Sequence, residues 1–308
     1  MRQTFTYQIP PEEKEMSVQN LLLAHGYSKR LIIDLKAIPD GLTVCGKRVC
    51  TPYLIQPGEV LTVCLPQDEN SLHIDPVCLP LSIVYEDDHI MVVNKPAGMP
   101  IHPSQGNHDN SLANAVAWYF TQKKIPFTFR VINRLDRDTT GLLTIAKHPL
   151  SACILSDMIR RREIHRTYLA AVHGHLEPQT GTIKAPIARI DGSTIERQVN
   201  FEKGEDAVTH YQVLSYQKAT DTSLVKLHLD TGRTHQIRVH MKYLGFPLYG
   251  DFLYNPDYQY INRQSLHSWK LEFPHPITKE PLAFTAAVPD DMKLFLSTDE
   301  GPLDNDFS

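Results

Sequence analysis

The stretch Asn133-Arg134-Leu135-Asp136-Arg137-Asp138-Thr139-Thr140 sets four charges in a short polar run, and it leads directly into Gly141-Leu142-Leu143-Thr144-Ile145-Ala146. The second half reads as a buried strand, so the first half is a charged turn delivered to the edge of a core. Asp136 lies between two arginines. An acid in that setting loses water and needs a fixed cation nearby, the conditions under which a carboxylate serves as nucleophile or base. Taken alone, the segment fits more simply a structural Arg–Asp pair that staples a loop.

The rest of the chain constrains what surrounds that turn. Its 308 residues suit one large domain or a large domain with a smaller one attached. Within residues 14–64, Ser17 caps a short helix carrying Val18, Leu21 and Leu22, ended by Gly26. Ser28 opens a second helix, with Lys29 and Arg30 in its first turn and Leu31, Ile32, Leu35 and Ile38 on one face. Pro39-Asp40-Gly41 stops it, and short strands follow at 42–45 and 60–63. Pro66, Pro76 and Pro80 mark residues 65–80 as a linker. Beyond it, strands are expected at 82–85, 90–94, 141–146, 167–173, 207–214 and 224–230, and helices at 111–122, 148–162 and 234–244. Without a regular strand–helix–strand rhythm, this predicts an α+β fold with a mixed, mostly antiparallel sheet over residues 81–298.

Charge is unevenly distributed. The chain carries 31 Lys+Arg against 35 Asp+Glu, a net of 31 − 35 = −4. Residues 130–170 nevertheless hold eight basic against four acidic side chains, and residues 226–243 hold four against one. The tail, 299–308, is acidic through Asp299, Glu300, Asp304 and Asp306. A basic region on an acidic body steers a polyanion to one face, although charge clusters often only solvate a surface. Arg160-Arg161-Arg162-Glu163-Ile164-His165-Arg166 packs four arginines into seven positions, a density suited to phosphate contacts. The strand beginning at Tyr168 follows; that ring offers a stacking face and a hydroxyl, or simply fills the core. In Thr231-Gly232-Arg233-Thr234-His235-Gln236-Ile237-Arg238-Val239-His240, Thr234 is the expected helix cap, and an arginine of this stretch could supply the fixed cation that Asp136 needs. His235 and His240 are five apart, which does not place two ligands on one helical face, so no metal is expected. Five cysteines (Cys45, Cys50, Cys64, Cys78, Cys153) without a CxxC pair, no apolar run near the ~18 residues of a spanning helix, and no apolar leader point to a cytoplasmic protein without membrane attachment.

These segments together resemble the RluA-type pseudouridine synthases, which modify large-subunit ribosomal RNA. Arg134-Leu135-Asp136-x-x-Thr139-Thr140-Gly141 is similar to the catalytic motif, and Asn94-Lys95-Pro96-Ala97-Gly98 with His102-Pro103 to the first motif. Arg166-Thr167-Tyr168-Leu169-Ala170 resembles the tyrosine-bearing strand. Thr231 to His240 with Gly250-Asp251 resembles the third motif, and Leu266-His267-Ser268-Trp269 with Phe273-Pro274-His275-Pro276 the ending. They occur in family order over residues 82–289, about two-thirds of the chain. Residues 14–64 resemble the alpha-L RNA-binding module, named after a small-subunit ribosomal protein, that often precedes this catalytic domain.

The resemblance implies isomerisation of uridine to pseudouridine in RNA, with base flipping and without a cofactor. It implies Asp136 as the essential carboxylate, Arg238 as its partner and Tyr168 as the residue against the uracil. Arg134 would fill the gap left by the flipped nucleotide, with Lys29, Arg30, Arg160, Arg161, Arg162, Arg166 and Arg233 as further RNA contacts. Ribosomal RNA is the expected substrate, transfer RNA the alternative, and a monomer the default. One departure is Asn133, where many members carry His; Asn hydrogen-bonds but does not titrate. Two other readings compete. A non-catalytic ribosome-assembly factor has no need for the Asp136, Tyr168 and Arg238 trio. A glycoside hydrolase lacks a second acid in a matching motif, since Asp138 sits only two residues from Asp136.

Overall fold

The computed structural model describes residues 3–11, 15–71 and 74–296; the acidic tail at 299–308 lies outside them. The N-terminal unit runs β1 (Thr4–Gln8), β2 (Met16–Ser17), α1 (Val18–Ala24), α2 (Lys29–Ala37), β3 (Leu42–Val44), β4 (Lys47–Arg48), β5 (Leu54–Ile55) and β6 (Val60–Cys64). Both helices start where a serine hydroxyl accepts a backbone N–H three residues on, Ser17 from Asn20 and Ser28 from Leu31. A four-stranded antiparallel sheet in the order β1-β6-β3-β4 covers them. The unit therefore reaches back to Thr4, because β1 pairs with β6 along its whole length. Its two apolar residues, Phe5 and Tyr7, are too few to announce a strand on their own.

The described residues of 65–80 form no regular element and are bonded to the second unit. Ser71 Oγ accepts from Phe129 N at 2.8 Å, and Asn114 Nδ2 donates to Asp75 O at 2.8 Å. The second unit then runs β7 (Ser82–Glu86), β8 (Ile90–Lys95), α3 (Leu112–Gln122), β9 (Thr140–Ala146), α4 (Pro149–Arg160), β10 (His165–His173), β11 (Thr180–Lys184), β12 (Ile187–Arg189), β13 (Arg197–Val199), β14 (Val208–Gln217), β15 (Thr222–Leu229), α5 (Gln236–Tyr243), β16 (Leu266–Pro274) and β17 (Pro281–Thr285). Nine strands make one sheet in the order β11-β14-β15-β10-β16-β9-β8-β7, with β17 added to β16. Its pairings are antiparallel except β9 with β16. The class is α+β. No described helix is long and apolar enough to cross a membrane.

Two features of the packing position everything else. Val18, Leu22, Leu35, Leu61 and Val63 of the first unit join Ile90, Leu142, Leu150 and Leu155 of the second in one buried cluster, so the two units share a core. Within the sheet, β9 is buried at all seven positions and opens at the point where the charged turn ends. Gly141 sits there with φ +110°, and a Cβ on it would lie 2.1 Å from Ser268 O. Only glycine lets β16 come close enough to pair. Gly141→Ala is expected to cost about 3 kcal/mol and to displace the preceding loop, read as a lowered urea midpoint together with lost activity.

The junction of the units also carries a pH dependence. His148, the N-cap of α4, is buried, and its Nδ1 accepts from Ser151 N at 3.2 Å. Phe5 of β1 packs on its ring at 5.5 Å. Burial, reinforced by the neighbouring His89, pushes its pKa down to about 3, and protonation would set an N–H against the Ser151 N–H. The folded state therefore prefers the neutral ring. Stability is full above about pH 6.5 and falls as pH drops from there towards 3, by up to about 1.4 kcal/mol per pH unit for this group. Chemical denaturation between pH 7.5 and 4.5 should show that loss, and His148→Asn should flatten it.

Candidate active site

Asp136 lies in the turn between α3 and β9, where Thr139 N donates to its carbonyl at 3.1 Å. The turn is held from below by Lys95, the last residue of β8 and 1% exposed. Lys95 Nζ donates to the carbonyls of Pro96 (2.7 Å), Met99 (2.9 Å) and Arg137 (2.8 Å). Burial pushes its pKa down to about 7, while Asp138 and Asp136 pull it back up. Three carbonyl acceptors use all three ammonium N–H groups, so the protonated form is the one that fits.

Arg238 on α5 holds the carboxylate from above. Its Nη1 donates to Asp136 Oδ2 at 2.9 Å, while Nε and Nη2 grip Asp251 Oδ2 and Oδ1 at 2.7 Å each. Arg238 is 1% and Asp251 0% exposed, against 26% for the Asp136 side chain. Burial works against the charge of Arg238, yet the bonds to Asp251 and the charge of Asp136 outweigh it and raise its pKa. The faces of Tyr254 and Phe252 flank the guanidinium at 5.0 and 5.5 Å. His235 Nε2 stands 3.9 Å from Asp136 Oδ2, its other nitrogen 2.9 Å from Tyr254 Oη. Among the described residues, Asp136 Oδ1 has no protein hydrogen-bond partner.

An open cavity of about 330 Å³ meets Asp136, lined also by Asn133, Arg134, Arg166, Tyr168, Asp230 and Arg233. Tyr168 is 4% exposed and sits where the β10–β16 register shifts, the sort of irregularity that re-aims a side chain. Arg134 is exposed, Arg166 half-buried, and neither forms an ion pair among the described residues. Two buried donors, Arg166 Nε and Asn133 Nδ2, have no partner, although Asn133 Oδ1 accepts from Thr144 N at 3.0 Å. A cavity holding unpaired cations and orphaned donors is built for an acceptor-rich, anionic ligand.

The structure thus brings together Asp136, Tyr168, Arg238, Arg134, Arg166 and Arg233. Arg233 is also tied to Glu205 and, through Nε at 3.0 Å, to Asp206 O. Arg162 pairs with Asp230 at 3.1 Å, and Arg160 and Arg161 pair with Asp157 at the end of α4. Lys29 and Arg30 stand outside the cavity at the start of α2, which meets α4 through Ser28 Oγ and Cys153 Sγ at 3.3 Å. One expectation fails. The helix begins at Gln236, not under a Thr234 cap; His235 is the N-cap, in the left-handed region at φ 58°, with no side-chain cap bond. The Gln236 side chain takes over, accepting from Arg233 N at 3.0 Å and Thr231 Oγ1 at 2.8 Å, and the turn it closes releases His235 to face Asp136.

Asp251 and Lys95 carry as much of this geometry as the residues singled out from sequence. Their signal was partial. Both fall inside recognised motifs, but only the fold reveals that one grips Arg238 and the other grips the Asp136 turn. Among the described residues no three His, Cys, Asp or Glu side chains form a metal-binding cluster.

A carboxylate presented in an arginine-lined cleft of an α+β sheet fits an enzyme that works on a polyanion. Residues 89–243 match the model of the RNA pseudouridylate synthase family. The chain belongs to that family, whose members isomerise uridine to pseudouridine in RNA. A Bacillus subtilis protein named uncharacterized RNA pseudouridine synthase YjbO is 40% identical, covering 90% of this chain and 97% of that one. Ribosomal large subunit pseudouridine synthase D of Nitrosomonas europaea is 39% identical over 78% of this chain and 71% of its own. Among solved structures, human RNA pseudouridylate synthase domain containing 1 superposes with a TM-score of 0.57 at 28% identity, covering 68% of this chain and 83% of that one.

The buried pair supplies a test. Asp251→Ala leaves Arg238 buried with two of its three hydrogen bonds missing, a loss of about 3–5 kcal/mol. A calorimetric scan should show the melting temperature falling by several degrees, and activity should fall with it, because Arg238 then loses its fixed position beside Asp136.

Proposed function

We propose that this enzyme modifies uridine in large-subunit ribosomal RNA in the cytoplasm, with Asp136, Tyr168 and Arg238 carrying the reaction. Support for the substrate comes from relatives named for the large ribosomal subunit, which are 36–39% identical. Support for the residues is one observation above all. Asp136 has one oxygen fixed by a fully buried Arg238 and the other left free at a cavity that Tyr168 also lines.

The chemistry asks for little beyond this. The bond from ribose carbon 1′ to uracil N1 breaks, the base turns, and carbon 5 bonds to the ribose. Carbon 5 loses a proton and N1 gains one. Atoms balance within the nucleotide. The free carboxylate oxygen of Asp136 starts the reaction at the ribose, by attack or by removing a ribose proton; each route needs a charged carboxylate. At ~4 Å and an effective dielectric of ~20, the Arg238 charge is worth about 4 kcal/mol to it before desolvation. Tyr168 stacks on the uracil and assists loss of the carbon 5 proton.

The uridine must leave its stack, at a cost of a few kcal/mol. Arg134, exposed beside Asp136, fills the vacated space, and the unpaired Arg166 with Asn133 Nδ2 receives acceptor oxygens of the bound nucleotide. Residues 14–64 act as an additional RNA-binding module. Their Lys29 and Arg30 extend the basic surface along α4, whose end at the cavity, after Ile159, carries Arg160 and Arg161.

The test uses purified protein, unmodified total RNA and pseudouridine mapping by sequencing. Wild type should create new sites in large-subunit RNA. Asp136→Asn, which keeps shape and hydrogen bonding, should create none, at least 10³-fold slower, while binding RNA to within a few-fold. Wild-type rates from that variant would remove Asp136 from its role, and new sites confined to transfer RNA would overturn the substrate.

A further inference from the structure

The two residues that follow Asp136 open on a second cavity, of about 390 Å³, lined by Arg137, Asp138, Gly250, Phe252, Tyr258, Asn262 and Arg263. Its charges are disposed differently from those of the first. Here both arginines are already neutralised. Arg137 chelates Asp138 through three contacts of 2.9–3.1 Å. Arg263 grips Asp291 at 2.7 and 2.8 Å and spends Nη1 on the carbonyls of Gln264 and Leu266. Among these polar groups two rings stand open: Phe252 and Tyr258 are 44% and 47% exposed, with the Arg137 guanidinium 6.0 Å from the Phe252 ring. Half-exposed rings beside arginines that are already ion-paired suit a flat, neutral, aromatic ligand rather than a phosphate.

We propose that this cavity holds one unpaired base of the substrate RNA, a close neighbour of the target uridine, stacked on Phe252 and Tyr258. The proposal rests on the family's action on uridine in RNA, and its position follows from the chain. Arg137 directly follows Asp136 and Phe252 directly follows Asp251, so the two rims of the cavity continue from the two acids that hold Arg238. Phe252 itself touches that guanidinium at 5.5 Å. A base seated here shares a short piece of backbone with a uridine seated at Asp136. The exposed amide of Asn262 is placed to contact the edge of the base, so the cavity makes part of the sequence context that the enzyme requires.

Tyr258 is the residue to change, because it does not touch Arg238. Short transcripts spanning a mapped target uridine, each with one flanking nucleotide made abasic, are compared with wild type and Tyr258→Ala. For wild type, one flanking position should dominate the penalty. Tyr258→Ala should raise KM about tenfold, as loss of one base–aromatic stack does, leave kcat within about twofold, and abolish the penalty at that position alone. Phe252→Leu should behave likewise in KM. A Tyr258→Ala enzyme that keeps both wild-type KM and the same abasic penalty overturns the proposal while leaving the enzyme's activity established. If no target uridine is found in ribosomal or transfer RNA, the substrate reading fails separately. The cavity is then decided by 2-aminopurine fluorescence in a single-stranded oligonucleotide: quenching by wild type that Tyr258→Ala loses supports stacking, and equal quenching overturns it.

Discussion

Everything at the site depends on one guanidinium. Arg238 is almost fully buried and would be intolerable there unpaired, so the fold surrounds it with two carboxylates and two aromatic rings. Asp251 uses both of its oxygens on that one side chain and also receives Leu253 N at 3.1 Å. It is wholly structural in its geometry. Asp136 uses one oxygen and keeps the other. The asymmetry is what separates a staple from a working group: the same arginine that is anchored by a closed acid orients an open one.

The supports of this arrangement come from distant parts of the chain. β8 sends Lys95 under the turn, β9 begins at a glycine that permits β16 to approach, and β10 brings Tyr168 to the cavity at a register shift. α5 starts one residue late because Gln236 closes the preceding turn, which places His235 beside Asp136 instead of within the helix. Each is a local departure from regular structure, and they converge on the same few ångströms. Departures of this kind are expected where a site is built, since an undisturbed sheet or helix offers no place for a half-exposed charge.

One cavity meets Asp136 and another opens at the residues that follow it, and their electrostatics differ. In the first, Arg134 and Arg166 carry unpaired charge and orphaned donors wait for acceptors; in the second, the arginines are ion-paired and two rings stand half exposed. A nucleic acid strand has both parts, an anionic backbone and flat bases, and the site offers a counterpart to each. The −4 net charge of the whole chain gives no hint of this division, because it is a property of which arginines find partners rather than of how many there are.

The sequence by itself determined the elements with strong periodicity or clear punctuation. Ser17 and Ser28 cap helices as their positions require, and the apolar run after Gly141 is a buried strand. It also determined the family, through ordered motifs that include Asp136, Tyr168 and Arg238. What only the tertiary structure decided is partnership. That Asp251 grips the arginine facing Asp136, that Lys95 clasps the carbonyl of Arg137, that β1 completes the N-terminal sheet, and that Arg166 is left unpaired while Arg263 is not, all involve residues apart in the chain. Hydrogen bonding and charge pairing across such separations are fixed by the packing of the core, and no local pattern encodes them.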